Sequence, residues 1–518
     1  MSRRKKNGLL VLTYAIMLLL CFGVVLLVDK LASPRPGSQE TAGTTAEETW
    51  ARGDDSKAPT EEEHSKPAEE PKEENGETES GSDIKKRRPE RQPVAETGEP
   101  EENHEEEYKP PVIVIQSDIH YFSPELTDYG EAFKTMMKND DGKLVNYDPQ
   151  LMDAFTEEME ELKPSAVILS GDLTLNGEKA GHEALAEKLE ILEEKGVKVL
   201  VIPGNHDINN YAAASYFGKE KGQTDIVDAQ GFYDIYRQFG YDQARSRDEN
   251  SLSYVYELDR KNWLLMLDTA QYEPLNKVGG RIKEETLVWM REQLEEAQRD
   301  GMTVIPIGHH NLLKESLLYP QDCTLENSPE VIRLLEAYRV PLYISGHLHL
   351  QKTQKYKKEP GEKDDVYHIS EVVADSFAIS PFRYGILKWT DDGRLTYNSR
   401  ETDVAAWAVK QGSTDENLLN FKEYGEKYLT EVVSSQIYDR IKNLPEEQMQ
   451  AMAELYGTIN REYCAGLFID AKEIRSEEAF RLWQRNLPDS RMFGEIDEIL
   501  RDTGKDHNFW ECKLEENQ

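Results

Sequence analysis

Ile344-Ser345-Gly346-His347-Leu348-His349 closes an apolar run that begins at Val340, and two histidines two residues apart stand where the run stops. The pattern reads as a strand passing into a loop, with each imidazole available to a different metal ion. Four fragments of the same kind lie upstream. They are Asp118-Ile119-His120 after Val112 to Ile115, Gly171-Asp172 after Val167 to Leu169, Gly204-Asn205-His206-Asp207 after Val197 to Ile202, and Gly308-His309-His310 after Val304-Ile305. Each places Asp, Asn or His where a buried strand ends. In sheets flanked by helices, the carboxyl ends of strands are where ligand sites are built. A single His or Asp at such a position is usually packing or capping; five clusters in order form a constellation.

Around these fragments, short Val/Ile runs alternate with helical patterns from Pro110 onward. Apolar spacing predicts helices over 148–162, 178–195 and 283–299, the last with Leu287, Met290, Leu294 and Ala297 on one face. Strands are expected at 112–117, 166–171, 198–203, 252–258, 263–268, 302–307, 340–345, 366–374, 382–390 and 394–399. Early strands read as buried on both faces, and later ones alternate. Two packed mixed sheets with helices outside satisfy both textures, an α+β fold. Beyond residue 403 the pattern turns helical, at 415–442, 446–460 and 474–486. Its aromatics Tyr424, Tyr428, Tyr438, Phe480 and Trp483 read as core packing in a small C-terminal domain.

The chain of 518 residues exceeds what one small core needs. Ser2-Arg3-Arg4-Lys5-Lys6 precedes an uncharged run from Gly8 to Val28, long enough at 1.5 Å per residue to cross a bilayer core of about 30 Å. The basic flank predicts a cytoplasmic N-terminus and an extracytoplasmic remainder at the cell membrane. Secretion after signal-peptide cleavage is the alternative, disfavoured by the length of the run and the Asp29-Lys30-Leu31 that follows it. Residues 38–107 hold 23 acidic and nine basic groups with little apolar area, a disordered acidic linker in which Lys85-Lys86-Arg87-Arg88 reads as a solvated charge run. The expected division is therefore 1–37 anchor, 38–108 linker, 109–403 catalytic domain and 404–518 helical domain. A formal net charge of −37 disfavours binding to nucleic acid polymers, although metal cations can still hold small anions. Cys21 falls in the apolar run; Cys323, Cys464 and Cys512 are too sparse for a disulfide framework, with a single Cys464–Cys512 bridge left open.

Neither a Gly-x-Ser-x-Gly elbow nor a Walker loop occurs, so oxygen and nitrogen donors at strand ends fit a two-metal site better than a nucleophilic triad. Donors of this kind without thiolates suit Mn, Fe or Zn. The order Asp-x-His, Gly-Asp, Gly-Asn-His-Asp, Gly-His-His and Gly-His-x-His resembles the calcineurin-like metallophosphoesterase superfamily over roughly residues 110–400. Gln116 to Tyr121, Ser170 to Glu178 and Pro203 to Asn210 are most similar to its exported Gram-positive branch, which resembles cyclic-nucleotide phosphodiesterases and also carries a helical C-terminal domain. The resemblance implies a four-layer sandwich and two divalent or transition metal ions. It implies Asp118, His120 and His349 at the first metal, Asp172 as the bridge, and Asn205, His309 and His347 at the second. His206 would sit near the leaving oxygen as a proton donor or charge stabiliser, and His310 would line the substrate side.

The chemistry implied is attack by metal-bridging hydroxide on phosphorus in a cyclic nucleotide or similar small phosphodiester. Protein phosphatases of the superfamily have Asp-Arg where this chain has Leu175-Asn176, so the acid that orients the catalytic histidine is missing there. Asp207 is the nearest substitute. No proline follows His309-His310, which sets the role of His310 apart from the usual pattern. Outside the motifs, Asp268 reads as a turn acid, and His182 and His368 as packed or exposed residues. Tyr121 and Arg383 are weaker candidates for substrate contact. Rival readings are an extracellular phosphomonoesterase or nucleotide pyrophosphatase and, remotely, a catalytically dead envelope interaction protein.

Overall fold

The computed structural model describes residues 108–314, 322–357 and 367–514. The expected anchor at 8–28, Cys21, the linker and its basic tetrad lie outside the described residues.

Val112–Gln116 (β1), Ala166–Ser170 (β2) and Val199–Ile202 (β3) run parallel side by side. A hairpin, Ala214–Phe217 (β4) and Glu220–Gln223 (β5), follows apart from the main sheets. The second sheet takes Ser246–Arg247 (β6), Tyr254–Glu257 (β7), Asn262–Met266 (β8), Thr303–Ile307 (β9), Leu342–Ser345 (β10), Lys352–Lys355 (β11) and Ser370–Val373 (β12). Its spatial order is β11-β12-β10-β9-β8-β7-β6, with β8, β9, β10 and β12 parallel. The chain then returns to the first sheet with Arg383–Trp389 (β13), Arg394–Glu401 (β14) and Phe509–Lys513 (β15), giving the order β15-β14-β13-β1-β2-β3. Both sheets are mixed: β13, β14 and β15 pair antiparallel in the first, and β6, β7 and β11 do so in the second.

Period-2 alternation divides the second sheet between two cores. Leu264 and Met266 join Ile305, Ile307, Leu342 and Ile344 in a core shared with β1, β2 and β3. Trp263, Leu265, Val304 and Tyr343 face the other way, onto helices Glu284–Asp300 and Ser328–Ala337. Strands buried on both faces carry no polar alternation, which is why the early runs read as continuous Val/Ile/Leu. Helix Asp148–Leu162 covers the first sheet with Leu151, Phe155 and Met159, spaced to lie on one face. The Phe155 ring lies 5.5 Å from Phe377 and 5.4 Å from Tyr384.

The C-terminal helices Phe421–Tyr438, Glu446–Cys464, Glu478–Asn486 and Arg491–Asp502 enclose Ile437, Met452, Ile459, Trp483 and Ile499. Leu350, between β10 and β11, and Val373 of β12 also join this cluster. The expected helix 415–442 is interrupted: Glu416–Leu419 stops at Asn420 and a new helix starts at Phe421. Helix Glu131–Asn139 and the edge strand β15 had no clear signal in the sequence. Cys323, Cys464 and Cys512 are free thiols, so the Cys464–Cys512 bridge is not formed. Cys512 is held in β15 opposite Leu395, whereas Cys464 ends a helix.

Candidate metal centre

Each of the five clusters begins one or two residues past the end of a strand, at β1, β2, β3, β9 and β10. The parallel strands point their carboxyl ends the same way, so the clusters gather at one edge of the sandwich. The loops after β1 and β2 extend the ladder: the amides of Asp118, His120 and Tyr121 donate to the carbonyls of Gly171, Asp172 and Leu173. Asp118, His120, Asp172, His347 and His349 all have φ between 49° and 72°. Left-handed backbone at non-glycine residues costs about 1–3 kcal/mol each and concentrates at functional sites. Gly204 must be glycine for close approach, since a Cβ there would overlap the Asp172 carboxylate and amide.

The donors converge. Ligand atoms of Asp118, His120 and His349 lie within 4.8 Å of one another, as do those of Asp118, Asp172 and His309. Asp172 recurs in a further group with His120 and His206, the position of a shared carboxylate. Asn205 Oδ1 is 3.2 Å from His309 Nε2, which is 3.2 Å from Asp172 Oδ2. The His347 ring centroid lies 5.1 Å from that of His309, and its amide donates to Asp118 Oδ2 at 2.9 Å.

Protonation states test whether a metal fits. His309 Nδ1 donates to the Ser170 carbonyl at 3.0 Å, so its Nε2 carries a lone pair towards Asp172 and Asn205. His349 Nδ1 donates to Asp141 Oδ2 at 3.0 Å, and its Nε2 faces His120 Nε2 at 2.9 Å. The ligand atoms of Asp118, Asp172, His309 and His349 thus turn towards one another at the centre, an arrangement that a cation would satisfy. A proton partly fills that role when metal is absent. Burial pushes the His309 imidazole down, but Asp172 beside it reverses this and holds it up to about 9. Burial acts likewise on His349, and Asp118 and Asp141 carry it up to about 10. Asp172 stays well below the usual carboxylate range: burial opposes this, and His309 and His206 prevail. The donor set fits two divalent cations.

The remaining histidines differ. His206 Nδ1 donates to the Leu175 carbonyl at 2.6 Å, leaving Nε2 directed to the centre, 3.9 Å from Asp172 Oδ2. Asp207 does not orient it. The Asp207 carboxylate accepts from the amides of Gly204 (2.8 Å) and Thr174 (3.0 Å) and fastens the loop, so a backbone carbonyl fills the place expected for an acid. His310 is held on both nitrogens, by Thr269 Oγ1 at 2.8 Å and the Val278 carbonyl at 2.8 Å. That bonding makes it a fixed wall and leaves neither nitrogen open to substrate.

Asp268 organises its own turn, accepting from Tyr272 Oη, Leu252 N and Ala270 N. His182 is buried between Tyr236 Oη and the Asp207 carbonyl, and His368 bonds Glu336, away from the centre. Tyr121 is buried. Arg383 binds the Ala465 carbonyl, Asn508 and Glu401, which removes it from substrate contact. Sequence reasoning missed Asp141 and the Leu175 carbonyl. Asn139-Asp140-Asp141-Gly142 signals only a turn, and no spacing links it to a histidine 208 positions away.

Residues 111–351 match the calcineurin-like phosphoesterase family, and residues 403–506 match the C-terminal domain of cyclic nucleotide phosphodiesterase. A probable cyclic nucleotide phosphodiesterase from Synechococcus is 24% identical over 193 residues. That match spans 37% of this chain and 60% of the relative, less than two thirds of its length. Among solved structures, a dimetal phosphatase from Danio rerio is 14% identical, with a TM-score of 0.39 over 56% of this chain and 96% of that one. GAP50, the anchor in the inner membrane complex of Plasmodium, is 13% identical with a TM-score of 0.33, over 57% and 85% of the two chains.

Proposed function

Residues 111–351 are a calcineurin-like phosphoesterase domain, of a family of phosphoric-ester hydrolases that use two divalent metals, and on that premise we propose that the chain is a binuclear phosphodiesterase for cyclic nucleotides or similar small phosphodiesters. The observation that carries the reading is the convergence of the ligand atoms of Asp118, His120, Asp172, His309 and His349 from separate strand ends. The match at 403–506 and the named relative favour a cyclic nucleotide among phosphodiesters.

When bound, a pair of cations supplies Lewis acidity, lowering the pKa of water towards 7 and offsetting charge on the phosphoryl oxygens. The protein's part is to hold and orient. Asp118, His120 and His349 would hold one ion, Asn205, His309 and His347 the other, with Asp172 shared between them. Asn205 ligates without adding negative charge. His206, tethered at Nδ1 by Leu175, presents Nε2 to the centre, and its doubly protonated form would give the Nε2 proton to the leaving alkoxide, a contribution of about 10²–10⁴-fold for a positioned acid. A neighbouring cleft of about 440 Å³, with Leu175, Asn176, Asp140 and Tyr216 on its walls and Lys219 and Lys221 at its rim, leaves room for the rest of the substrate. In this reading the run at 8–28 anchors the domain outside the cytoplasm, which protease accessibility on intact cells would check.

The test is turnover of bis(p-nitrophenyl) phosphate, p-nitrophenyl phosphate and 3′,5′-cyclic nucleotides by the full chain loaded with Mn, Fe or Zn. Preference for the diesters is expected. Preference for the monoester would replace the proposal with a phosphomonoesterase, and metal binding without any hydrolysis would leave an inert scaffold.

A further inference from the structure

We propose that the C-terminal helices set the geometry of one side of the metal centre, acting through the loop Asp140–Lys143 and the carboxylate of Asp141 on His349. The inference rests on the two-metal reading above.

The chain of contacts runs from the metal ligand outward. Asp141 Oδ2 receives the Nδ1 proton of His349 at 3.0 Å, which fixes the tautomer and directs Nε2 to Asp118 and His120. The other oxygen, Oδ1, accepts from Lys143 Nζ at 2.5 Å. Lys143 also reaches Asp140 at 3.3 Å, and its side chain is only 1% exposed. A buried ammonium with two carboxylates keeps Asp141 ionised and its side chain in place.

The C-terminal helix Phe421–Tyr438 grips this loop at two points and the helix leading into it, Glu131–Asn139, at a third. Gln436 Nε2 donates to the Asp140 carbonyl at 3.0 Å, and Tyr428 Oη donates to the Met137 carbonyl at 3.1 Å. Leu429 packs on Gly142, whose φ of 101° and lack of a Cβ permit the contact. From the opposite side the Leu144 amide donates to the Ala378 carbonyl, in the loop after β12. The loop is therefore held between the two parts of the molecule.

The other histidines at the centre are oriented differently. His309, His347 and His206 bond the carbonyls of Ser170, Asp322 and Leu175, all within the phosphoesterase domain. Among the described residues, His349 has a side-chain carboxylate as its outer partner, on a loop that the C-terminal helices hold. Asp141 is a positioning residue: it acts through His349. Loss of such a partner lowers metal affinity by about 10–100-fold.

The experiment titrates the metal-free full chain with Co2+, following heat and visible absorption. Wild-type protein should bind two ions; if it does not, the parent reading fails before any variant is compared. Asp141→Asn should weaken one site by about 10–100-fold, alter that site's Co2+ band and spare the other site. Excess metal should restore turnover at unchanged KM for substrate. Because Asp141→Asn disturbs Lys143 and is itself a folding risk, the double variant Leu429→Ala/Gln436→Ala tests the same link from the C-terminal domain. It should weaken the same site while circular dichroism of the metal-free protein stays unchanged. Wild-type affinity at both sites in either protein overturns the inference, as does equal weakening of both sites.

Discussion

The two sides of the metal centre are supported by different materials. The His309 side rests on the sheets: its ring is tethered to the Ser170 carbonyl at the end of β2, and Asn205 stands three residues past β3. The His349 side rests on Asp141, in a loop that the C-terminal helices clamp. Backbone carbonyls at strand ends move only if the sheet moves. A side chain on a clamped loop moves whenever the clamp loosens. One edge of the centre is therefore as rigid as the core, and the other answers to a second part of the fold.

The variant with the largest expected effect removes what the two sides share. Asp172→Ala should lose metal from both and cut turnover by at least about 10³-fold, read by metal analysis and kcat. Retention of one tightly bound ion would show that the sides are independent. Next, His206→Ala should keep both ions and slow kcat by about 10²–10⁴-fold, since the proposed role of Nε2 is towards the leaving group and not as a ligand. Loss of metal in that variant would make His206 a ligand and redraw the His309 side. Asp207→Asn should behave as a structural change. It weakens bonds to the amides of Gly204 and Thr174, costing about 1–3 kcal/mol in urea unfolding, with kcat falling far less than in His206→Ala.

The smallest effect is on pH. His309 and His349 have folded pKa values of about 9 and 10, above an unfolded value of about 6.5. Their contribution to the stability of the metal-free protein is fully present below pH ~6.5 and is lost as pH rises through about 9 to 10. Thermal unfolding of metal-free protein should show that decline. Bound metal, which takes the place of the protons, should abolish it. Because the two values are close, pH does not tell the sides apart, and metal affinity does.

Several residues show where the sequence ran out. All seven ligand candidates stood at ends of apolar runs, and burial on both faces made those runs visible. Asp207 was misread because proximity in sequence suggested an orienting acid, whereas the loop turns its carboxylate into its own backbone. His310 looked open beside His309, yet Thr269 and Val278 hold both its nitrogens. Strand β15 carries an alternation too short to separate from the helices before it.

The sequence by itself determined the sheets, the helical tail and the candidate ligand positions, because hydrophobic periodicity and strand-end chemistry are local properties. The tertiary structure decided which atoms orient those ligands. Leu175 supplies a carbonyl that any residue would supply, and Asp141 reaches His349 across 208 positions. Hydrogen bonds of that kind depend on where the backbone goes, and no spacing in the chain records it.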